Sequence, residues 1–210
     1  MIKLLVADDH AIVRKGLQQI IAETADIVVA DEAKNGQEVL EKIMKADFDM
    51  VLLDISMPGR DGLEILKELK IRRPKLAVLM LSMYPEEQYA VRAIRSGAAG
   101  YLTKDSAPDE LITAIRKVTL GRKYVSASLA ERLADKLESY SDQPLHELLS
   151  DREHQIMCML ASGKSQTAIA EELSLSVKTI STYRDRLLKK MHMKSNAELT
   201  RYAIENRLVT

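Results

Sequence analysis

The chain has 210 residues, 46% of them apolar, and its 31 basic and 31 acidic side chains balance to a net charge of zero. This length suits one medium and one small domain, and no run of about 18 apolar residues that could span a membrane occurs. The start of the chain lacks the pattern of a secretory signal peptide, and the single cysteine, Cys158, excludes an intrachain disulfide and a multi-cysteine zinc site. We therefore expect a cytoplasmic protein without a membrane segment, in which Cys158 is a buried, unreactive thiol.

Short apolar runs alternate with segments of helical periodicity over the first 120 residues. The predicted strands are 2–7, 27–30, 50–53, 76–81 and 99–102, and the predicted helices lie near 11–22, 36–45, 62–70, 86–95 and 108–118. Strands that alternate with helices indicate a parallel sheet covered on both faces. Such strands are buried on both sides, which explains why they form near-continuous apolar runs.

Polar side chains follow most of these strands directly. Asp8 and Asp9 follow the first strand, Asp54 the third and Ser82 the fourth, and Lys104 comes two residues after the fifth. Because the carboxyl ends of parallel strands share one edge, we expect these groups to surround one crevice. Three adjacent carboxylates cannot all stay ionised in a dry site unassisted, and oxygen-only ligands favour Mg²⁺.

The same residues suit phosphoryl transfer. A carboxylate held beside Mg²⁺ can act as a nucleophile towards phosphorus. Lys104 would stabilise the equatorial phosphoryl oxygens during transfer, and Ser82 could hydrogen-bond the attached group. Any one of these acids alone could be a strand-end cap or a surface charge, but five suitable groups at strand ends favour a site.

Together with Tyr101 and the segment Asp54-Ile55-Ser56-Met57-Pro58-Gly59-Arg60-Asp61-Gly62, these residues resemble the receiver domains of two-component response regulators. The resemblance covers about residues 1–118 and implies a doubly wound α/β fold with five parallel strands in the order 2-1-3-4-5. It also implies that a sensor histidine kinase transfers a phosphoryl group to Asp54. The implied Mg²⁺ ligands are Asp8 (partly through water), Asp9, Asp54 and the backbone carbonyl of Ser56.

The resemblance further implies that Ser82 and Tyr101 form a switch that turns inward on phosphorylation, although Tyr101 alone could be a core aromatic. Many receivers have a small residue where Met83 stands, and the longer side chain is expected to crowd the phosphoryl group. Asp105 replaces a common proline, so we expect a trans bond after Lys104. His10 follows the acidic pair, but Mg²⁺ prefers oxygen, so we do not expect it to be a ligand.

Residues 119–146 are predicted to form a linker. Leu129, Leu133 and Leu137 recur at every fourth position, which indicates one amphipathic helix with Ser126 or Ser128 as its cap.

The remaining residues, 147–210, read as a small all-α domain of four helices. Ser150 and Glu153 have the spacing of a capping box before a helix that extends to about Ala161. Further helices are predicted at 166–173, at 177–191 and from near Ser195. A three-residue turn before 177–191 is typical of helix-turn-helix units, whose second helix enters the major groove. The residues expected to contact DNA are Lys178, Thr179, Ser181, Thr182, Asp185 and Lys189.

This DNA-binding interpretation has an alternative, because a polar helix face can simply be solvated. However, residues 148–210 resemble the DNA-binding domain of LuxR/NarL/FixJ regulators. The matching segments are Leu149-Ser150-x-Arg152-Glu153, Leu160-Ala161-x-Gly163, Ile169-Ala170-x-x-Leu173, Ser176-Val177-Lys178-Thr179-Ile180 and Leu187-Leu188-Lys189-Lys190-Met191. Tyr183 departs from the family, which often has histidine there. The resemblance implies promoter DNA as a partner, an active homodimer, and a dimer surface on the last helix.

We therefore expect a transcriptional regulator in which phosphorylation of Asp54 controls dimerisation and promoter binding. It is not expected to be an enzyme, apart from slow hydrolysis of its own phosphoryl group. One alternative is a phosphatase of the haloacid-dehalogenase type, but those enzymes carry the nucleophile in a DxD pattern after the first strand. Another is a constitutive transcription factor whose receiver only dimerises. Phosphate uptake would distinguish it from the regulator expected here.

Overall fold

The computed structural model describes residues 1–127, 129–131 and 144–209, and the chain divides into two compact units, Met1–Ala130 and Glu131–Thr210. Most of the predicted linker helix, including Leu133, Leu137 and the alternative cap Ser128, lies outside the described residues. Ser126 is described, and its Oγ accepts a hydrogen bond from the amide of Leu129 at 3.0 Å, which is the bond expected of a helix cap.

The first unit contains a five-stranded parallel sheet in the order β2-β1-β3-β4-β5, which confirms the predicted fold class and topology. The strands are β1 Ile2–Ala7, β2 Ile27–Ala33, β3 Met50–Asp54, β4 Ala77–Ser82 and β5 Gly100–Thr103. Strand β2 extends beyond the predicted residue 30, because it lies at the edge of the sheet. An edge strand needs no continuous apolar run, so it accommodates Asp31 and Glu32.

Five helices cover the sheet, and they are α1 Ala11–Ala22, α2 Gly36–Lys45, α3 Gly62–Arg72, α4 Glu86–Arg95 and α5 Ala107–Thr119. Leu4 and Val6 of β1 pack in a cluster with residues of α1 and α5 such as Leu17 and Ile115. Leu5, between them in sequence, is fully buried without belonging to that cluster. Alternate strand residues thus fill the two faces, as the pleat requires.

The second unit is helical. A 3₁₀ turn at Leu145–Leu148 precedes α6 Asp151–Ala161, α7 Gln166–Glu172, α8 Val177–Lys190 and α9 Asn196–Glu205. Each of these α-helices begins after a serine whose side chain accepts a backbone N–H: Ser150, Ser165, Ser176 and Ser195. The predicted capping box between Ser150 and Glu153 is present in both directions. Cys158 is buried in the core of this unit, as expected.

No helix in the described part of the chain has the length and apolar character needed to cross a bilayer.

Candidate functional site

The carboxyl ends of β1, β3 and β5 bring the predicted acidic and basic residues together. Asp8 and Asp54 are buried, and Lys104 Nζ lies 2.7 Å from Asp8 Oδ2 and 2.7 Å from Asp54 Oδ2. One ligand atom each from Asp8, Asp9, His10 and Asp54 lies within 4.8 Å of the others. Asp8, Asp9, Asp54 and Lys104 therefore lie together at one edge of the sheet.

Burial and neighbouring charges act against each other at the centre of this crevice. Burial raises the pKa of Asp54 to about 6, while Lys104 opposes the rise and Asp8 adds to it. For Lys104, burial lowers the pKa, but the attraction of Asp54 and Asp8 outweighs burial and leaves the pKa raised. Lys104 is therefore a charged ammonium at neutral pH.

The donor set suits a hard divalent cation. Three carboxylates face one ammonium, so the crevice carries an excess of negative charge when all are ionised. The ligand atoms of Asp8, Asp9 and Asp54 are oxygens, which Mg²⁺ and similar ions prefer. His10 lies at the exposed rim, with its Nδ1 at 2.8 Å from Asp9 Oδ1. Ser56 is tied to the crevice because its amide donates to Asp54 Oδ1 at 3.3 Å.

The loop after Asp54 returns close to this residue. A Cβ atom on Gly62 would lie only 2.1 Å from the backbone oxygen of Asp54, so no larger residue fits without moving the loop. Asp61 Oδ1 accepts the amide of Leu63 at 2.6 Å and begins α3. The Asp61-Gly62 pair of the predicted motif therefore packs α3 directly against the backbone of Asp54.

The two predicted switch residues both form a hydrogen bond with the backbone of Tyr84, in the loop after β4. The Oγ of fully buried Ser82 accepts the amide of Tyr84 at 3.1 Å, and the Tyr101 hydroxyl donates to the backbone oxygen of Tyr84 at 2.8 Å. Burial raises the pKa of Tyr101 above its usual range, so its hydroxyl keeps its proton. Tyr101 is only 2% exposed, which means that its ring already points inward.

The structure bears on two departures from the usual receiver pattern. The bond between Lys104 and Asp105 is trans, as expected without proline. Met83 is 64% exposed beside the switch loop, and its expected effect on a phosphoryl group stays a prediction.

Sequence reasoning missed Arg14. This arginine on α1 is only 6% exposed, and its Nη1 donates to the backbone oxygen of Asp8 at 2.7 Å. Its Nε contacts Glu32 Oε2 at 2.6 Å, and Gln18 also donates to Glu32. A signal was present in the sequence, because Arg14, Leu17 and Ile21 have the spacing of one buried helix face.

Helix α8 carries the predicted DNA-binding residues. Lys178, Thr182, Asp185 and Lys189 are exposed, and Thr179 and Ser181 are partly exposed. The opposite face, with Ile180, Leu187, Leu188 and Met191, belongs to the core. Val177 is 45% exposed, because it begins the helix next to the turn.

The hydroxyls of Thr179 and Thr182 on this helix already have partners. The Thr179 hydroxyl lies 2.8 Å from that of the cap residue Ser176, and the Thr182 hydroxyl donates to the backbone oxygen of Lys178 at 2.9 Å. A hydroxyl can donate and accept at once, so these groups could contact a ligand without losing both bonds.

The basic residues of α8 divide into two groups. Lys190 contacts Glu153 Oε2 at 2.6 Å, and Arg184 Nε donates to Asn196 Oδ1 at 2.7 Å, so both tie the unit together. Lys178, Arg186 and Lys189 are exposed and form no ion pair within the described part of the chain. Arg186 is thus an available cation that was not among the predicted DNA contacts.

Two family models match the chain. Residues 4–116 match the response regulator receiver domain, and residues 147–203 match the luxR family of bacterial regulatory proteins. The chain is 37% identical to the response regulator GacA of Pseudomonas protegens over 210 residues, which cover 100% of this chain and 98% of that protein. It is 35% identical to the response regulator UvrY of Escherichia coli K12, with 99% and 96% covered.

Solved structures agree in fold. RcsB from Salmonella enterica serovar Typhimurium, bound to promoter rprA in the presence of the phosphomimetic BeF₃⁻, matches with a TM-score of 0.64 and 25% identity, covering 96% of this chain and 98% of that one. The response regulator ChrA of a haem-sensing two-component system matches with a TM-score of 0.52 and 31% identity, covering 99% and 98%.

Proposed function

The chain belongs to the two-component response regulators that join a receiver domain to a LuxR-type DNA-binding domain, and on that premise we propose that phosphorylation of Asp54 controls its binding to promoter DNA. It is a DNA-binding transcriptional regulator, and its relatives are regulators rather than enzymes. The observation that carries the proposal is the buried contact of Lys104 with both Asp8 and Asp54. We place the receiver at 1–118, the linker at 119–146 and the DNA-binding domain at 147–210.

The proposed reaction is a phosphoryl transfer from a phosphohistidine of a sensor kinase. An oxygen of the Asp54 carboxylate forms a bond to phosphorus while the bond between phosphorus and the histidine nitrogen breaks. The electron pair of the broken bond stays on the imidazole, which takes a proton from solvent. Lys104, held at 2.7 Å from Asp54, stabilises the negative charge on the phosphoryl oxygens. Slow attack by water on the phosphorus would later break its bond to the Asp54 oxygen, which releases inorganic phosphate and restores the carboxylate.

The proposed metal is Mg²⁺. When bound, it neutralises the carboxylates and the phosphoryl oxygens during transfer. Asp9, Asp54 and the backbone carbonyl of Ser56 would hold it directly, and Asp8 would contribute partly through water. The supporting observation is the cluster of carboxylate oxygens within 4.8 Å at one end of the sheet.

The proposed DNA-binding surface is the exposed face of α8. This face would enter the major groove, where Lys178 and Lys189 contact phosphates or guanine, and Ser181 and Thr182 donate or accept. Asp185 can accept from cytosine, and Thr179 lies at the start of the same face. Structures of two RcsB dimers on two parallel DNAs support a homodimer as the active form of this chain as well.

Intact mass spectrometry tests the phosphoacceptor. The full chain is incubated with Mg²⁺ and acetyl phosphate, and wild type is compared with Asp54→Asn and with Asp105→Asn, a control that removes an exposed acid near the crevice. We expect one phosphoryl adduct on wild type and on the control, and none on Asp54→Asn. An adduct that persists on Asp54→Asn, or wild type that takes no phosphoryl group from any donor, would contradict the proposal.

A further inference from the structure

The chain after α5 turns back along the free edge of the sheet. Residues 121–127, which we call the strap, run beside β5, where the amide of Tyr124 donates to the backbone oxygen of Ala99 at 2.9 Å. Tyr124 also forms a parallel bridge with Gly100, and Lys123 Nζ donates to the backbone oxygen of Ala98 at 2.5 Å. The strap therefore extends the hydrogen bonding of the sheet beyond β5.

The strap lies unusually close to β5. A Cβ atom on Gly100 would lie 2.6 Å from the backbone oxygen of Tyr124 and 2.8 Å from its Cβ, so this approach requires glycine. The strap also contacts two helices through its side chains. The Tyr124 hydroxyl bonds Glu110 Oε2 of α5 at 2.5 Å, and the Ser126 hydroxyl bonds Glu86 Oε2 of α4 at 2.5 Å.

Ser126 connects the strap to the first turn of the linker helix. The same Oγ that donates to Glu86 accepts the amide of Leu129 at 3.0 Å, and its backbone oxygen accepts the amide of Ala130 at 3.0 Å. Any displacement of Glu86, the first residue of α4, therefore acts directly on the first turn of the linker helix.

Tyr101 lies beneath the strap. The space between them is a cavity of about 310 Å³, lined among others by Glu86, Tyr101, Glu110, Tyr124 and Ser126. The ring now points away from solvent and its hydroxyl bonds the backbone of Tyr84. A ring that turned outward would enter this cavity, against two carboxylates that already bond the strap. There its hydroxyl would donate to Glu86 or Glu110 and would compete with the bonds that Ser126 and Tyr124 make to these carboxylates.

We propose that the strap couples the inward position of Tyr101 to the first turn of the linker helix. The strap is closed when Tyr124 bonds Glu110 and Ser126 bonds Glu86, and in this state it stabilises the inward ring. Phosphorylation of Asp54 favours the inward ring and therefore keeps the strap closed. Loss of the phosphoryl group frees Tyr101 to turn outward, which opens the strap and releases Ser126 from Glu86. This inference rests on the proposed role of Asp54.

Hydrogen exchange of the wild-type full chain gives the first test. Exchange of the peptide that covers 120–127 is compared without ligand and with Mg²⁺ and beryllofluoride, a phosphoryl mimic. We expect the mimic to slow the exchange at Tyr124 by about fivefold or more, the lower end of usual coupling between sites. Unchanged or faster exchange in a protein that binds the mimic would overturn the inference and leave the proposed function intact.

Coupling is reciprocal, so weakening the strap must weaken binding of the mimic. The double variant Tyr124→Phe/Ser126→Ala loses both side-chain bonds to the helices, and we expect its affinity for beryllofluoride to fall by about fivefold or more. Tyr183→Phe/Ser96→Ala removes the same atoms elsewhere and should bind as wild type does. Equal affinity of the two double variants for beryllofluoride would contradict the inference alone. Wild type that binds no beryllofluoride would contradict both the inference and the proposed role of Asp54.

Discussion

Arg14 shows how a single residue outside the crevice can set its geometry. Its guanidinium fixes the backbone of Asp8 and is itself held by Glu32. Partners of metal ligands typically contribute about 10–100-fold to metal affinity. We expect Arg14→Gln to weaken Mg²⁺ binding by about tenfold or more, measured by isothermal titration.

The direction of the change in Mg²⁺ affinity distinguishes a positioning role of Arg14 from an effect of its charge. By charge alone, removing a cation near an acidic crevice would strengthen the binding of Mg²⁺. Lys15→Gln, an exposed neighbour on α1, loses the same charge and serves as the control. If Arg14→Gln binds Mg²⁺ as tightly as the control, Arg14 does not position Asp8.

The residues of the crevice could be predicted where topology alone brings them together. Asp8, Asp54 and Lys104 follow parallel strands, and such strand ends meet at one edge whatever the details of packing. Arg14 could not be assigned a role, because its partner is a backbone oxygen that only the folded chain places within 2.7 Å. For the same reason, the bond between the Thr179 and Ser176 hydroxyls was not foreseen.

Among the elements, α6 depends on a network that joins its first turn to α8. Glu153 accepts the amide of Ser150 at 2.9 Å and contacts Lys190 Nζ at 2.6 Å. Burial alone would raise the pKa of Glu153, but Lys190 and Ser150 outweigh burial, so the pKa lies below its usual value. A lowered pKa in the folded state means that the carboxylate stabilises the fold above its unfolded pKa and loses this effect as the pH falls through the folded one.

We therefore expect Glu153→Gln to lower the free energy of unfolding of the second unit by about 1 kcal/mol or more at neutral pH. The difference from wild type should shrink as the pH falls below the ordinary range of a glutamate. Urea unfolding at several pH values measures both effects, with Glu171→Gln on the exposed surface of α7 as the control. If the loss of unfolding free energy in Glu153→Gln does not depend on pH, Glu153 does not act through its charge.

The strands and helices were predicted well where their signals are local. Apolar runs marked β1, β3 and β4, and the capping box of Ser150 and Glu153 marked the first helix of the second unit. Strand β2 was predicted too short, because the hydrogen bonds of an edge strand to β1 continue past the end of its apolar run. The strap was not predicted, since the pairing of Tyr124 with Gly100 joins segments that lie on opposite sides of α5 in sequence.

On the scale of the whole molecule, net charge gives no indication of a nucleic-acid partner, because basic and acidic residues balance. The indication lies in the distribution: Lys178, Arg186 and Lys189 are exposed on one helix and form no ion pair among the described residues. Binding of DNA by such a face is dominated by phosphate contacts, which release counterions and make affinity depend on salt.

The salt dependence of DNA affinity therefore tests whether α8 contacts DNA. We expect Lys178→Gln/Lys189→Gln to reduce the slope of log affinity against log salt by about two for each protomer bound. The DNA would be fragments selected with the phosphorylated wild type. Lys45→Gln/Lys75→Gln, which removes two exposed charges from the receiver, should keep the wild-type slope. An unchanged slope in the α8 variant would mean that another surface contacts the phosphates.

The same titration, repeated with and without acetyl phosphate, separates a regulated factor from a constitutive one. If phosphorylation shifts the equilibrium towards a DNA-binding dimer, wild type should bind the selected fragments more tightly with the donor, and Asp54→Asn should not respond. A receiver that only dimerises would give one affinity under both conditions for both proteins. The buried contacts of Lys104 with Asp8 and Asp54 favour the first outcome, because burying and pairing three ionised groups has a high free-energy cost that dimerisation alone does not require.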